Sequence, residues 1–141
     1  MELRIYTPQK EIFIGKIKEI YVPTKEGDYG IFEDHSPFFL AISLGEINFT
    51  DINDKKTVLA VSEGLLRVEN NIIFIEVISG MYPHEIDINK ILKEKEALEI
   101  KLKQIKEKNK SKRILSNLRI YSLHISTYNK YIKTNIHKNK I

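Results

Sequence analysis

Asp34, His35 and Ser36 place a carboxylate, an imidazole and a hydroxyl in consecutive positions, the three groups that an acyl-transfer triad requires. Their adjacency argues against that chemistry. Neighbouring side chains of an extended segment point different ways, and a working triad is assembled from residues far apart in sequence. Residues 25–37 read instead as a turn-rich loop, in which Gly27 and Gly30 are placed to supply unusual backbone angles and Pro37 restarts a strand. The histidines His35, His84, His124 and His137 lack the close spacing of zinc ligands, and with no cysteine in the chain no thiolate can complete a set. His124 flanks an apolar stripe and reads as packing rather than as a ligand. Neither a Walker-type phosphate loop nor a GxGxxG turn occurs. No catalytic residue and no metal ligand is assigned, so the chain reads as a binding protein rather than an enzyme.

The elements that must carry these residues divide at a step in charge. Residues 1–85 hold 14 acidic and 8 basic side chains, a net of −6, whereas residues 86–141 hold 5 acidic and 15 basic, a net of +10. A step of that size marks a boundary between a body, 1–84, and a basic arm, 85–141. A length of 141 residues suits one domain with an appendage, and 42% hydrophobic with 30% charged residues is an ordinary globular balance. No apolar run approaches the roughly 18 residues that cross a bilayer, and the N-terminus has no secretory pattern, which predicts a cytosolic or peripheral protein. Only 4 of the 23 basic residues are arginine, a usage expected of an AT-rich genome.

Before Pro83 the apolar residues alternate or form short β-branched runs between turn residues, which predicts strands over 3–6, 12–14, 16–22, 38–43, 46–50, 57–61, 65–68 and 72–78. Asn70 and Asn71 separate the last two and tolerate the positive φ of a two-residue hairpin turn. Many short strands of this kind imply a sandwich or barrel. After Pro83 the period becomes helical. Ile91, Leu98 and Ile105 recur at sevens with Leu102 between, Lys95 interrupts the stripe, and Asp87 is placed to cap the helix. A polar break over 106–110 precedes a second helix with Ser111 as its cap and a stripe of Ile114, Leu118, Tyr121, Ile125, Tyr128, Ile132 and Ile136. The pattern predicts an all-β body followed by an antiparallel α-helical hairpin.

Local motifs then narrow the family. The string from Thr7 to Gly15, TPQKEIFIG, resembles the TPExxxFxG opening of ATP synthase epsilon subunits. Val22-Pro23-Thr24, then Gly27-Asp28-Tyr29-Gly30-Ile31 and His35-Ser36-Pro37-Phe38, is similar to that family's VPTxxGxxGIxxxHAPL segment, and Gly64 to Asn71 resembles its GGxxxVxxN hairpin. The motifs fall in the family's order, and the likeness extends to about residue 125. It implies a ten-stranded β-sandwich with a C-terminal helical hairpin, bound to a gamma-type rotor shaft and resting on a ring of c-type subunits. It implies ring contacts at Asp28 and His35, and contacts from the second helix, through Lys112, Arg113 and Arg119, to the catalytic alpha- and beta-type subunits.

A non-catalytic rotor subunit of a proton-translocating ATP synthase is therefore the expected function, with inhibition of ATP hydrolysis by the hairpin as a further role. The resemblance places it peripherally on the cytoplasmic face of a bacterial inner membrane, with the plastid thylakoid as the other compatible site. No cofactor is expected. Some family members bind ATP as a regulatory ligand through an I/L-D-x-x-R-A motif, and the matching Ile86, Asp87 and Lys90 keep the acid but replace the planar fork of arginine, while Ile91 replaces the small alanine. The alternative is an adaptor that binds nucleic acid or ribosomes through the basic arm, although no aromatic platform or arginine fork supports it. A small hydrolase built on the sandwich is a third reading.

Overall fold

Strand β2, Glu11–Thr24, is fourteen residues long and belongs to two sheets. In this computed structural model, which describes residues 1–105 and 108–133, its first half pairs with β1, Glu2–Tyr6, and its second half pairs with β3, Gly27–Phe32, and β5, Gly45–Asp51. The remaining strands are β4 (Phe38–Ile42), β6 (Lys56–Val61), β7 (Gly64–Glu69), β8 (Ile72–Val77) and the short β9 (Gly80–Met81). One sheet runs β4-β7-β8-β1-β2, with β1 and β8 parallel and the other pairs antiparallel; the second runs β3-β2-β5-β6-β9, all antiparallel.

The body is thus a β-sandwich of nine strands among the described residues, where about ten were expected. Segments 12–14 and 16–22 are a single strand. Gly15 does not break it: a Cβ there would lie 2.9 Å from the ring of Phe13, so the glycine makes room for that ring. The irregularity lies further on, where the register shifts between Ile17 and Glu19. Ile17 faces inward at 2% exposure, and the next inward residues are Ile20 and Val22, so a bulge reverses the parity of the strand. Two strands escape the sequence pattern. β9 is too short to show a period, and β3, with two glycines and only Ile31 of its six residues buried, lacks an apolar alternation and falls within the expected loop.

Alternate residues of the longer strands meet in one core. Leu3 and Ile5, Ile47 and Phe49, Leu59 and Val61, Leu66 and Val68, and Ile73, Ile75 and Val77 are all within 3% of full burial and belong to one apolar cluster. Burying a side chain of this size contributes about 1.5–3 kcal/mol. The turn at Asn70 and Asn71 has the expected positive φ, 52° and 62°, and closes β7 onto β8.

The chain divides between Tyr82 and Pro83, two residues ahead of the expected boundary. The second unit opens with a 3-10 turn, Pro83–Glu85, followed by helix α1, Ile88–Gln104, and helix α2, Lys108–Tyr128, which continues into a π-helical turn, Asn129–Lys133. α2 packs along α1, and both α2 and the π-helical turn reach the 3-10 turn that precedes α1, so the two helices are antiparallel. Asp87 is the N-cap of α1, its carboxylate accepting the Lys90 N–H at 3.2 Å. Ser111 is not the cap of α2. That helix begins three residues earlier, at Lys108. Of the expected stripe, Ile114 is buried, Leu118, Tyr121, Ile125, Tyr128 and Ile132 are half-buried, and Ile136 lies outside the described residues.

Because the sandwich core is closed before Pro83, a fragment of residues 1–82 is expected to fold alone and melt cooperatively. Circular dichroism of that fragment checks this, and an unfolded or aggregated fragment beside a soluble full chain would refute the division.

Candidate functional site

The motif-rich segment from Thr24 to Phe38 is built on the β2–β3 hairpin. Lys25 and Glu26 form its two-residue turn, and Gly27 follows at φ +111°, a conformation open to few other residues. Gly30 does not share that role. It pairs directly with Tyr21, and a Cβ would stand 2.9 Å from the tyrosine ring, so the glycine is required for space and not for its backbone angle.

Strand alternation separates the two residues expected to meet one partner. Tyr29 lies on the same side of β3 as the buried Ile31, while Asp28, Gly30 and Phe32 lie on the other, where Phe32 meets Tyr21 edge-on at 6.0 Å. Asp28 is exposed beside Pro23, its cross-strand partner. His35 belongs to the opposite side: its Nε2 lies 3.1 Å from the Tyr29 hydroxyl, its Nδ1 lies 2.8 Å from the Ser36 carbonyl oxygen, and its ring stacks on Phe38 at 4.5 Å. A carbonyl oxygen only accepts, so Nδ1 carries the proton and Nε2 of the neutral ring accepts from Tyr29. Both ring nitrogens are engaged away from the Ser36 hydroxyl, and the triad reading fails on this geometry. The preceding residue, Asp34, sits at φ 62° with its N–H donating to the Asn71 side-chain oxygen, which ties this loop to the β7–β8 turn. The sequence did not reveal Tyr29 and Phe38 as partners of His35; the only signal was aromatic residues six before and three after it.

The hairpin residues present a different surface. Lys112, Arg113 and Arg119 are exposed on α2, separated from its apolar stripe. Tyr121, read as packing, also donates its hydroxyl to the Glu94 carboxylate across the two helices, and that acceptor holds its pKa above the usual phenol value. The three residues of the degraded nucleotide motif are dispersed in role: Ile86 is buried at 6% exposure, the Asp87 carboxylate caps α1, and the Lys90 side chain is exposed.

The outer face of the β4-β7-β8-β1 sheet carries a feature that no motif announced. Pairing places Phe39, Arg67, Phe74 and Arg4 in one transverse row and Ala41, Leu65, Glu76 and Tyr6 in the next. Both guanidinium groups stack on the Phe74 ring, at 4.5 Å for Arg67 and 5.3 Å for Arg4. Phe39 is 78% exposed, Leu65 64% and Ile78 65%, and a cleft of about 600 Å³ opens between Tyr6, Pro8, Leu65 and Ile78.

Residues 1–81 match the family model described as the β-sandwich domain of the ATP synthase delta/epsilon chain. The chain belongs to that family. Relatives agree: it is 33% identical over 107 residues to an ATP synthase epsilon chain of Clostridium botulinum, covering 76% of this chain and 80% of the relative. It is 32% identical over 108 residues to that of Nitratidesulfovibrio vulgaris, covering 77% and 80%. Among solved structures, a chain of the Euglena gracilis mitochondrial ATP synthase superposes with a TM-score of 0.71 at 20% identity, covering 85% of this chain and 76% of that one. A chain of the Tetrahymena thermophila mitochondrial enzyme superposes at 0.51 and 19% identity, covering 61% and 69%. The structural likenesses establish the fold, sandwich followed by helices, and the sequence relatives establish an epsilon-type chain. None of them supports the nucleic-acid or ribosome-binding reading of the basic arm.

The hairpin depends on its cap. Replacing Asp87 with Ala is expected to cost about 1 kcal/mol and to lower the helical signal at 222 nm, while Asp87→Asn, which keeps an acceptor, retains most of it. Equal loss in both variants would place the role of Asp87 elsewhere.

Proposed function

We propose that this epsilon-type chain is a non-catalytic rotor subunit that attaches to the gamma-type shaft through the outer face of its β4-β7-β8-β1 sheet. Exposed Phe39 and Leu65, in rows with the half-buried Phe74 and its stacked arginines, carry the reading. Contiguous apolar surface rimmed by charge marks an interface, and aromatics and arginine are the residues enriched at interface centres. The Tetrahymena chain of similar fold belongs to a central stalk and c-ring assembly, which supports this class of partner. In this arrangement the β2–β3 hairpin, with Asp28 on one side and His35 on the other, meets the c-type ring, and the chain sits peripherally on the cytoplasmic face of the membrane. No described helix is long and apolar enough to cross it.

The hairpin adds the regulatory half. Exposed Lys112, Arg113 and Arg119 offer cations to an acidic surface of the catalytic alpha- and beta-type subunits, and such a contact would restrain ATP hydrolysis. No cofactor is needed. ATP as a regulatory ligand is disfavoured, because Ile86 is buried and the Asp87 carboxylate already serves the helix terminus.

Introducing Phe39→Asp together with Leu65→Asp is expected to cut co-purification with the gamma-type subunit at least tenfold, two apolar contacts of about 1 kcal/mol or more each being lost. Both residues lie outside the core, so the melt of the body is expected to stay unchanged. Undiminished co-purification would move the shaft contact to another face.

The brake has its own test. Changing Lys112, Arg113 and Arg119 together to Gln is expected to raise hydrolysis by the assembled motor a few-fold at low salt, with the difference fading as salt rises, since exposed pairs are individually weak and screened. Equal rates for variant and wild type at both ionic strengths would remove the hairpin as a brake.

A further inference from the structure

We infer that His124 is a proton-operated latch of the helical hairpin: its neutral ring closes the seam between α1 and α2, and its protonation opens that seam. Spacings of three and four make His124 a neighbour of Tyr121, Thr127 and Tyr128 on the surface of α2. Tyr121 reaches across to Glu94 on α1, and Thr127 is wholly buried. His124, half-buried, lies between them along the helix, and the register set by Tyr121 and Glu94 places it at the same seam. Its Nδ1 is sealed from solvent and meets no hydrogen-bond partner among the described residues.

The two protonation states fare differently in such a place. In the neutral ring Nδ1 can be the nitrogen that carries only a lone pair, so the site forgoes one acceptor bond. In the charged ring both nitrogens bear N–H groups, and Nδ1–H would point into the seam with nothing to accept it, which is costly for a buried charged donor.

The surrounding charges offer little relief. With Tyr121 set against Glu94 in an antiparallel pair, His124 falls opposite Ile91, which is buried. Beside Ile91 on α1 stand Lys90, Lys95 and the already bonded Glu94, with Asp87 engaged as the cap. The 3-10 turn brings His84 and Glu85 to this end of the hairpin, α2 itself adds Arg119 and Tyr128, and the π-helical turn adds Lys130. Burial pushes the imidazole pKa below its ordinary 6.5, with no carboxylate contribution to offset it. A base whose folded pKa is lowered contributes its stability fully above the unfolded value and loses it as pH falls through the folded one. The hairpin is therefore closed above about pH 6.5 and loosens on acidification.

The inference rests on the packing of the hairpin and not on its place in a motor, so the free, intact chain is the material to test and a failure here leaves the proposed function standing. The helical signal at 222 nm is melted between pH 8 and pH 5 for wild type, His124→Phe and His124→Gln. The wild-type midpoint is expected to fall by several degrees on acidification and the variants' midpoints to stay level. A pH dependence equal in all three would overturn the latch. If neither variant folds, proton NMR of wild-type His124 decides: titration below the ordinary imidazole value of 6.5, with contacts between α1 and α2 lost at that same pH, supports the latch, and contacts that persist through its protonation refute it.

Discussion

The passage of β2 from one sheet to the other is the constraint on which the body depends. A single strand that pairs with β1 at one end and with β3 and β5 at the other holds the two layers in one piece, and its bulge after Ile17 keeps both halves facing the same core. Without the extra residue, Ile20 and Val22 would turn outward and Tyr21 inward. The aromatic pair of Phe13 and Phe49, 4.6 Å apart, fills the space near this crossing, and Tyr82, the last residue of the body, donates its hydroxyl to the Ile12 carbonyl oxygen. The end of the body is thus fastened to the strand that organises it.

A rigid sandwich and a thin hairpin divide the physical labour. The sandwich buries its core almost completely, so its outer faces are free to carry function without loss of stability. The hairpin has two helices and correspondingly few fully buried residues, among them Ile86, Ile91, Ile114 and Thr127. Its closure depends on a handful of specific contacts, including the Asp87 cap, the Tyr121 to Glu94 hydrogen bond and the packing of His124. An element held in this way responds to modest changes of partner or protonation, which is the property a regulatory arm requires.

Membership of the delta/epsilon family gives these parts a common setting. The body carries the apolar face with its stacked arginines, the hairpin tip bearing Asp28 and the loop anchored by His35, and the second unit carries the basic arm. With a net charge of −6 over residues 1–85 and +10 over residues 86–141, an acidic partner would be drawn to the arm and not to the body.

Most of this architecture was legible in the residues. The alternation of Leu3, Ile5, Leu66, Val68, Ile73 and Ile75, the Asn70 and Asn71 turn, the Asp87 cap and the change of period at Pro83 are signals between residues close in sequence, and local backbone preference fixes them. Residue order also carried the family, because several short motifs recur in one sequence. What the residues did not show depends on contacts between distant segments. Gly30 looked like a conformational device, and Gly15 like a gap between two strands, while the rings of Tyr21 and Phe13 above them were out of view, and Asp28 and His35 looked like one site although the fold sets them on opposite sides. The row of Phe39, Arg67, Phe74 and Arg4 combines four strands whose order along the chain is not their order in the sheet, so only tertiary pairing makes it a surface. Local preference determines what each segment becomes, whereas a face or a buried imidazole exists only once segments far apart have been brought together.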